Sequence, residues 1–158
     1  MKMCLKKLNK KQPISKRFFK VFRENEGKIY NLKFNPDGSN SLIKKDNWGT
    51  ELIKGEEYDS VQRMLKADGK EYQSGFHVFE TIEAAEIFAK GCNKMWNLKD
   101  CIKKEFINFV VREIECSELL ATGMNYSNPE EFMEGNPKLV QCYVFKKMRV
   151  NERWNMEH

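Results

Sequence analysis

Apolar and polar residues alternate with period two in several parts of the chain, and one stretch alone carries a sustained helical period. "KIYNLKFN" (28–35) places Tyr30, Leu32 and Phe34 on one side and Ile29, Asn31 and Lys33 on the other, as in a half-buried strand. The preceding "SKRFFKVFRE" is rich in aromatic and branched residues, so the two segments predict a hairpin that turns across Glu24 to Gly27. "NPDGSN" follows with Pro36 and Asp37-Gly38, a dense turn signal. Residues 40–70 mix short apolar runs with Gly49, Gly55 and Gly69 and read as a flap. They predict a short strand near Thr50 to Ile53 and a weak helix or turn over Asp59 to Lys66, where Val61, Met64 and Leu65 recur at helical spacing.

From Gly75 the pattern sharpens. "GFHVF" is strand-like, Thr81 is an acceptable N-cap, and Ile82, Ala85, Phe88, Cys92 and Met95 or Trp96 form the stripe of a helix over 82–96. Phe106 to Ile114 is nearly continuous in apolar residues, which predicts a central strand covered on both faces. "ATGMNYSNPEEFMEGNP" predicts a loop with a one-turn helix at Pro129 to Met133, and "KLVQCYVFKKMRV" predicts a long closing strand. The order predicts an α+β fold: a single mixed or antiparallel sheet of about five to six strands with one main helix. One domain is expected over 14–154, after a basic flexible arm at 1–13.

Charge changes this picture in one respect. Residues 1–23 carry nine Lys or Arg and no acid, whereas the rest of the chain is net −4. Such an arm could neutralise phosphates, which makes nucleic acid a candidate partner, but Met1 to Gln12 holds no aromatic and a solvated leader is the plainer reading. No stretch approaches the roughly 18 apolar residues of a membrane span, and the basic start lacks the apolar region of a secretion signal. A cytoplasmic protein without a membrane partner is expected. The five cysteines are widely spaced with no close pair, which favours free thiols over a metal site. Phosphate loops, H-E-x-x-H and G-x-S-x-G are absent, and Cys92 has no plausible base. No catalytic residue, metal ligand or cofactor is therefore assigned.

Three pieces carry a resemblance: "FFKVFR" (18–23), "SGFHVFETIEAAEIFA" (74–89) and "LVQCYVFKKMRVNERW" (139–154). They resemble small proteins widespread in bacteriophage genomes, which show a strand ending in Arg and then Gly-aromatic-His. A strand of the V-x-V-E kind follows, here "FVVREIE", and then a closing basic strand. The layout of those proteins is in turn similar to the ADP-ribosyltransferase-like fold, and the resemblance implies that Arg23 and Gly75-Phe76-His77 lie beside a nicotinamide dinucleotide or related nucleotide. The chain departs from that fold's catalytic pattern, because Glu113 and Glu115 sit within a strand and Glu134 in a loop. The resemblance therefore implies a non-enzymatic binding protein of an infected bacterial cell, which counters a defence by sequestering a nucleotide-type signal or by occluding a host defence protein. An ADP-ribosyltransferase-like enzyme using NAD and a nucleic-acid-binding accessory protein are the alternatives.

The candidate ligand-binding residues are Arg23, Tyr72, Gly75, Phe76, His77, Lys147 and Arg149. Arg23 ends a strand, where a long cation reaches over the sheet edge. Lys147 and Arg149 alternate on the last strand, and guanidinium groups with an imidazole match phosphate oxygens if they converge. Tyr72 could stack on a base. His77 has two readings: a core histidine bonded to a nearby carbonyl, or a donor to a ligand phosphate or ribose.

Overall fold

The computed structural model describes residues 4–40, 48–99, 107–129 and 138–151. Among them are ten strands and one helix: β1 (Lys7–Leu8), β2 (Phe18–Asn25), β3 (Lys28–Tyr30), β4 (Glu51–Leu52), β5 (Glu57–Asp59), β6 (Met64–Ala67), β7 (Lys70–Gln73), β8 (Phe76–Phe79), α1 (Ile82–Lys99), β9 (Asn108–Tyr126) and β10 (Leu139–Val150). The fold is α+β with a large antiparallel sheet. That sheet has eight strands rather than five to six, and β6 and β7 form a separate hairpin. A short strand is expected near Thr50 to Ile53 and β4 is found there, whereas the unexpected β1, β5, β6 and β7 are two to four residues long, too short to leave a period-two signal in the sequence.

Local chemistry accounts for the turns. Glu26 (φ 53°) and Gly27 (φ 80°) both have positive φ, the geometry of a two-residue turn whose twist suits an antiparallel hairpin, and Arg23 pairs with Tyr30 across it. The same geometry recurs at Asp68 (φ 50°) and Gly69 (φ 78°), which join β6 to β7. In place of the weak helix or turn expected over 59–66, the chain leaves β5 at Asp59 and enters β6 at Met64. Met64 projects into solvent, so the helical spacing of Val61, Met64 and Leu65 marks no common buried face.

β2 bonds to β9 from Phe18 to Glu24 and to β8 through Phe19 and Phe79. Because β8 pairs with β10 and β10 with β9, the path β9-β10-β8-β2 closes on itself. Short strands extend it: β1 on β9, β3 and β4 beyond β2, and β5 on β10. Two apolar clusters result. One consists of strand residues only, with Phe18, Phe22, Val78, Ile114, Tyr143 and Phe145 at its centre. In the other, Ala85, Phe88 and Cys92 of α1 pack on Phe19, Val21, Phe79, Phe109 and Val144. The Phe88 ring lies 5.5 Å from that of Phe79, and burying a side chain of this size stabilises the fold by about 1.5–3 kcal/mol. Thr81 caps α1 as expected, accepting from the Ala84 N–H at 3.2 Å.

β9 contributes to both clusters, in keeping with a central strand, but it runs on to Tyr126 through residues expected to form loop. Its continuation is covered by β1. Lys7 pairs with Met124 and Leu8 with Gly123, and at Gly123 a Cβ would collide with the Lys7 carbonyl. The chain on either side of β1 is bonded to β9 as well, through Lys6 N–H to the Met124 carbonyl and Asn9 N–H to the Thr122 carbonyl, and Leu5 is only 1% exposed. Most of the one-turn helix expected at Pro129 to Met133 lies outside the described residues.

Candidate functional site

After β3 the chain doubles back through Asn31 to Pro36. Within this loop the Asn31 side-chain amide donates to the Phe34 carbonyl at 2.7 Å, and the Asn35 N–H donates to the Ser39 carbonyl at 2.8 Å. The loop, the Ser60 to Leu65 segment that leads into β6, the Ser74 to His77 entry into β8, and Lys20 of β2 line a cleft of about 90 Å³. Its lining includes three cations, Lys20, Lys33 and Arg63, and no carboxylate among the described residues.

Lys20 is the most unusual of the three. It is 6% exposed, its Nζ donates to the backbone carbonyl of His77 at 3.2 Å, and it makes no ion pair among the described residues. Burial pushes its ammonium down to about 8. The nearby thiols of Cys116 and Cys142 supply no countercharge, because burial raises both and keeps them protonated. Arg63 is a second landmark: its guanidinium lies 3.9 Å above the centre of the Phe34 ring, while the Lys33 ammonium is 5.0 Å from the same ring. Ser60 donates its backbone N–H to the Lys146 carbonyl at 2.8 Å, and its buried hydroxyl has no partner among the described residues.

The Gly75-Phe76-His77 segment lines this cleft, and the structure shows what each residue does there. A Cβ on Gly75 would run into the Phe145 carbonyl and approach Val144 Cγ1 to 2.9 Å, so only glycine lets β8 lie this close to β10. Phe76 is buried in the strand-only cluster. His77 is 4% exposed and has both ring nitrogens engaged: Nε2 is 3.0 Å from the Tyr72 hydroxyl and Nδ1 is 3.1 Å from the Gly75 carbonyl. The Tyr72 oxygen accepts from the Leu5 N–H at 2.9 Å, so its own proton is directed to Nε2, and Nδ1–H donates to Gly75. That relay fits a neutral ring. Burial, reinforced by the Lys20 charge, pushes the imidazole down to about 3. His77 is a neutral, hydrogen-bonded part of the wall, and its backbone carbonyl positions Lys20.

The other expected residues lie apart from this cleft. Arg23 is fully buried and not among its lining residues; it donates to the carbonyls of Asn31 (2.7 Å) and Trp48 (2.6 Å) and so anchors the start of the cleft loop. Lys147 and Arg149 do not converge with His77. On β10 it is Val144 that pairs with His77, and Arg149 lies five residues further, roughly 17 Å along the strand. Both cations face β5 instead, with Lys147 3.7 Å from Glu57 and Arg149 3.8 Å from the same carboxylate. Lys20, Arg63 and Ser60 were not foreseen. For Lys20 a signal existed, since it alternates with Phe18 and Phe22 on a strand whose side chains are buried.

Among the described residues no group of three or more His, Cys, Asp and Glu could hold a metal ion, and no helix is long and apolar enough to cross a membrane. No family model, curated protein or solved structure matches this chain. The roles of the cleft residues therefore rest on geometry.

Proposed function

We propose that this protein works by binding, and that it holds an anionic group of a small ligand, of the nucleotide-phosphate type, in the Lys20 cleft. The observation that carries this reading is a buried ammonium that has no countercharge, in a cleft that has no carboxylate, among the described residues. Burying such a charge is unfavourable unless an anion offsets the loss of hydration, and a phosphate would do so while Arg63 supplies a planar second contact. Size sets the scale. Pockets that engulf a whole ligand measure about 300–1,000 Å³, whereas this cleft of about 90 Å³ suits one phosphate or carboxylate. The remainder of the ligand would lie at the mouth, against Phe34 and Arg63.

The likeness of "SGFHVF" to the phage proteins supports a more specific form of this proposal, in which the ligand is a nucleotide signal of a bacterial defence. Glu113 gives no support to the transferase alternative, because its carboxylate is held by Arg17 and Asn151. Purified protein titrated with AMP and with inorganic phosphate tests the proposal. Saturable binding that is lost in Lys20→Met supports it, and absence of binding to both compounds at low salt rejects it.

Nucleic-acid binding stands as a second reading because Lys7, Lys10 and Lys11 remain exposed beside β1. Since β1 belongs to the sheet, the suitable variant replaces these lysines with Gln rather than deleting them. Binding to a short duplex that weakens with salt, and weakens further in that variant, would favour this reading.

A further inference from the structure

We propose that Lys20 is also a carbonyl-trapping amine, which condenses with the aldehyde or ketone of a small oxo acid in the cleft to form a Schiff base. The inference deepens the anion site proposed above and rests on it. A lysine that forms imines must reach a ligand, keep its lone pair available, and be free of a carboxylate that would hold it charged. Lys20 meets all three conditions. It lines the cleft, its one polar contact among the described residues is the His77 carbonyl at 3.2 Å, and none of the groups around it is an acid. The titratable neighbours among the described residues are His77 from β8, Cys116 from β9 and Cys142 from β10, with Cys4, Lys33 and Arg63 also in the cleft lining. The histidine and the buried thiols of Cys116 and Cys142 are neutral, and burial is what disfavours the positive charge at Nζ.

The cleft also supplies what the other end of an oxo acid needs. Its carboxylate would be held by the Arg63 guanidinium in the cleft lining. In the condensation the Nζ lone pair attacks the carbonyl carbon and a carbinolamine forms. The two amine hydrogens then leave with the former carbonyl oxygen as water, and C=N replaces C=O; no oxidant or reductant is consumed. With burial holding the amine near 8, the free base at pH 8 is on the order of a hundredfold more abundant than for a solvated lysine. Selectivity over the surface lysines follows from that difference.

Glyoxylate, small enough for the cleft, is the probe. The full-length protein is incubated at pH 8 with glyoxylate and cyanoborohydride, which reduces the imine to a stable carboxymethyl adduct, and the adducts are mapped by peptide mass spectrometry. The expected result is preferential modification of Lys20, roughly tenfold or more above any exposed lysine, slowed by inorganic phosphate and absent in Lys20→Arg. Labelling spread over the surface lysines without preference for Lys20 overturns the inference, and this readout needs only the wild-type protein. Phosphate binding that persists without labelling of Lys20 removes the imine chemistry alone, whereas loss of both removes the anion site as well.

Discussion

The Lys20 ammonium donates to the backbone carbonyl of His77 at 3.2 Å, and the His77 ring is in turn fixed by Tyr72 at 3.0 Å. One residue pair thus joins β2 to β8 and connects the cleft to a buried relay that ends at the Leu5 N–H of the N-terminal segment. Both residues line the cleft, and the His77 ring is held neutral there.

Replacing Lys20 by Met is expected to stabilise the fold at neutral pH while abolishing anion binding. The folded-state value near 8 lies below the ordinary 10.5, so folding works against the protonated amine. Below pH 8 the unfavourable contribution is fully present, at up to about 3 kcal/mol, and it is relieved as the pH rises from 8 to 10.5. Thermal melts of wild type and Lys20→Met should differ most near pH 7 and converge above pH 10. Equal melting temperatures at pH 7 would show that the buried ammonium carries no strain.

The His77 relay has the opposite acid limb. A ring that titrates near 3 when folded and near 6.5 when unfolded is fully favourable above 6.5. Its contribution falls as the pH drops from 6.5 towards 3, because the unfolded chain takes up the proton first. Denaturant unfolding between pH 7 and 4 should therefore show a loss of stability that is smaller in His77→Gln.

Tyr72→Phe removes the hydroxyl that joins Leu5 to His77 and leaves a buried N–H and a ring nitrogen without partners. A loss of roughly 1–3 kcal/mol is expected, measured by chemical denaturation. Hydrogen exchange at the Leu5 amide should rise by more than at β10 amides.

Gly75→Ala forces a methyl against the Phe145 carbonyl. Overpacking of this kind typically destabilises by about 1–3 kcal/mol, and a change below that range in a calorimetric melt would mean that β8 and β10 separate easily.

The sequence made much of this legible at the level of pattern. "SGFHVFETIEAAEIFA" announces β8 and the N-capped helix because each period is long enough to be read locally. The edge strands were hidden: in and before β1, Leu8 and Leu5 stand among so many lysines that the apolar pair was lost, and β5 has only three residues. The site divided in the same way. Gly75 and His77 were visible as a motif, but the role of His77 was fixed by Tyr72, whose hydroxyl reaches its ring from the neighbouring strand. Arg63 and Ser60 join Lys20 only because the chain from β5 to β6 folds over the β3 loop, and no spacing along the chain reports such a contact.

The most direct measurement is the titration of the Lys20 amine by NMR, on protein labelled at the lysine side-chain carbons, with and without inorganic phosphate. The expected apo value is near 8, and added phosphate should move it upward, because a bound anion favours the ammonium. An apo value near that of the surface lysines, or one that phosphate leaves unchanged, would contradict the proposed anion site.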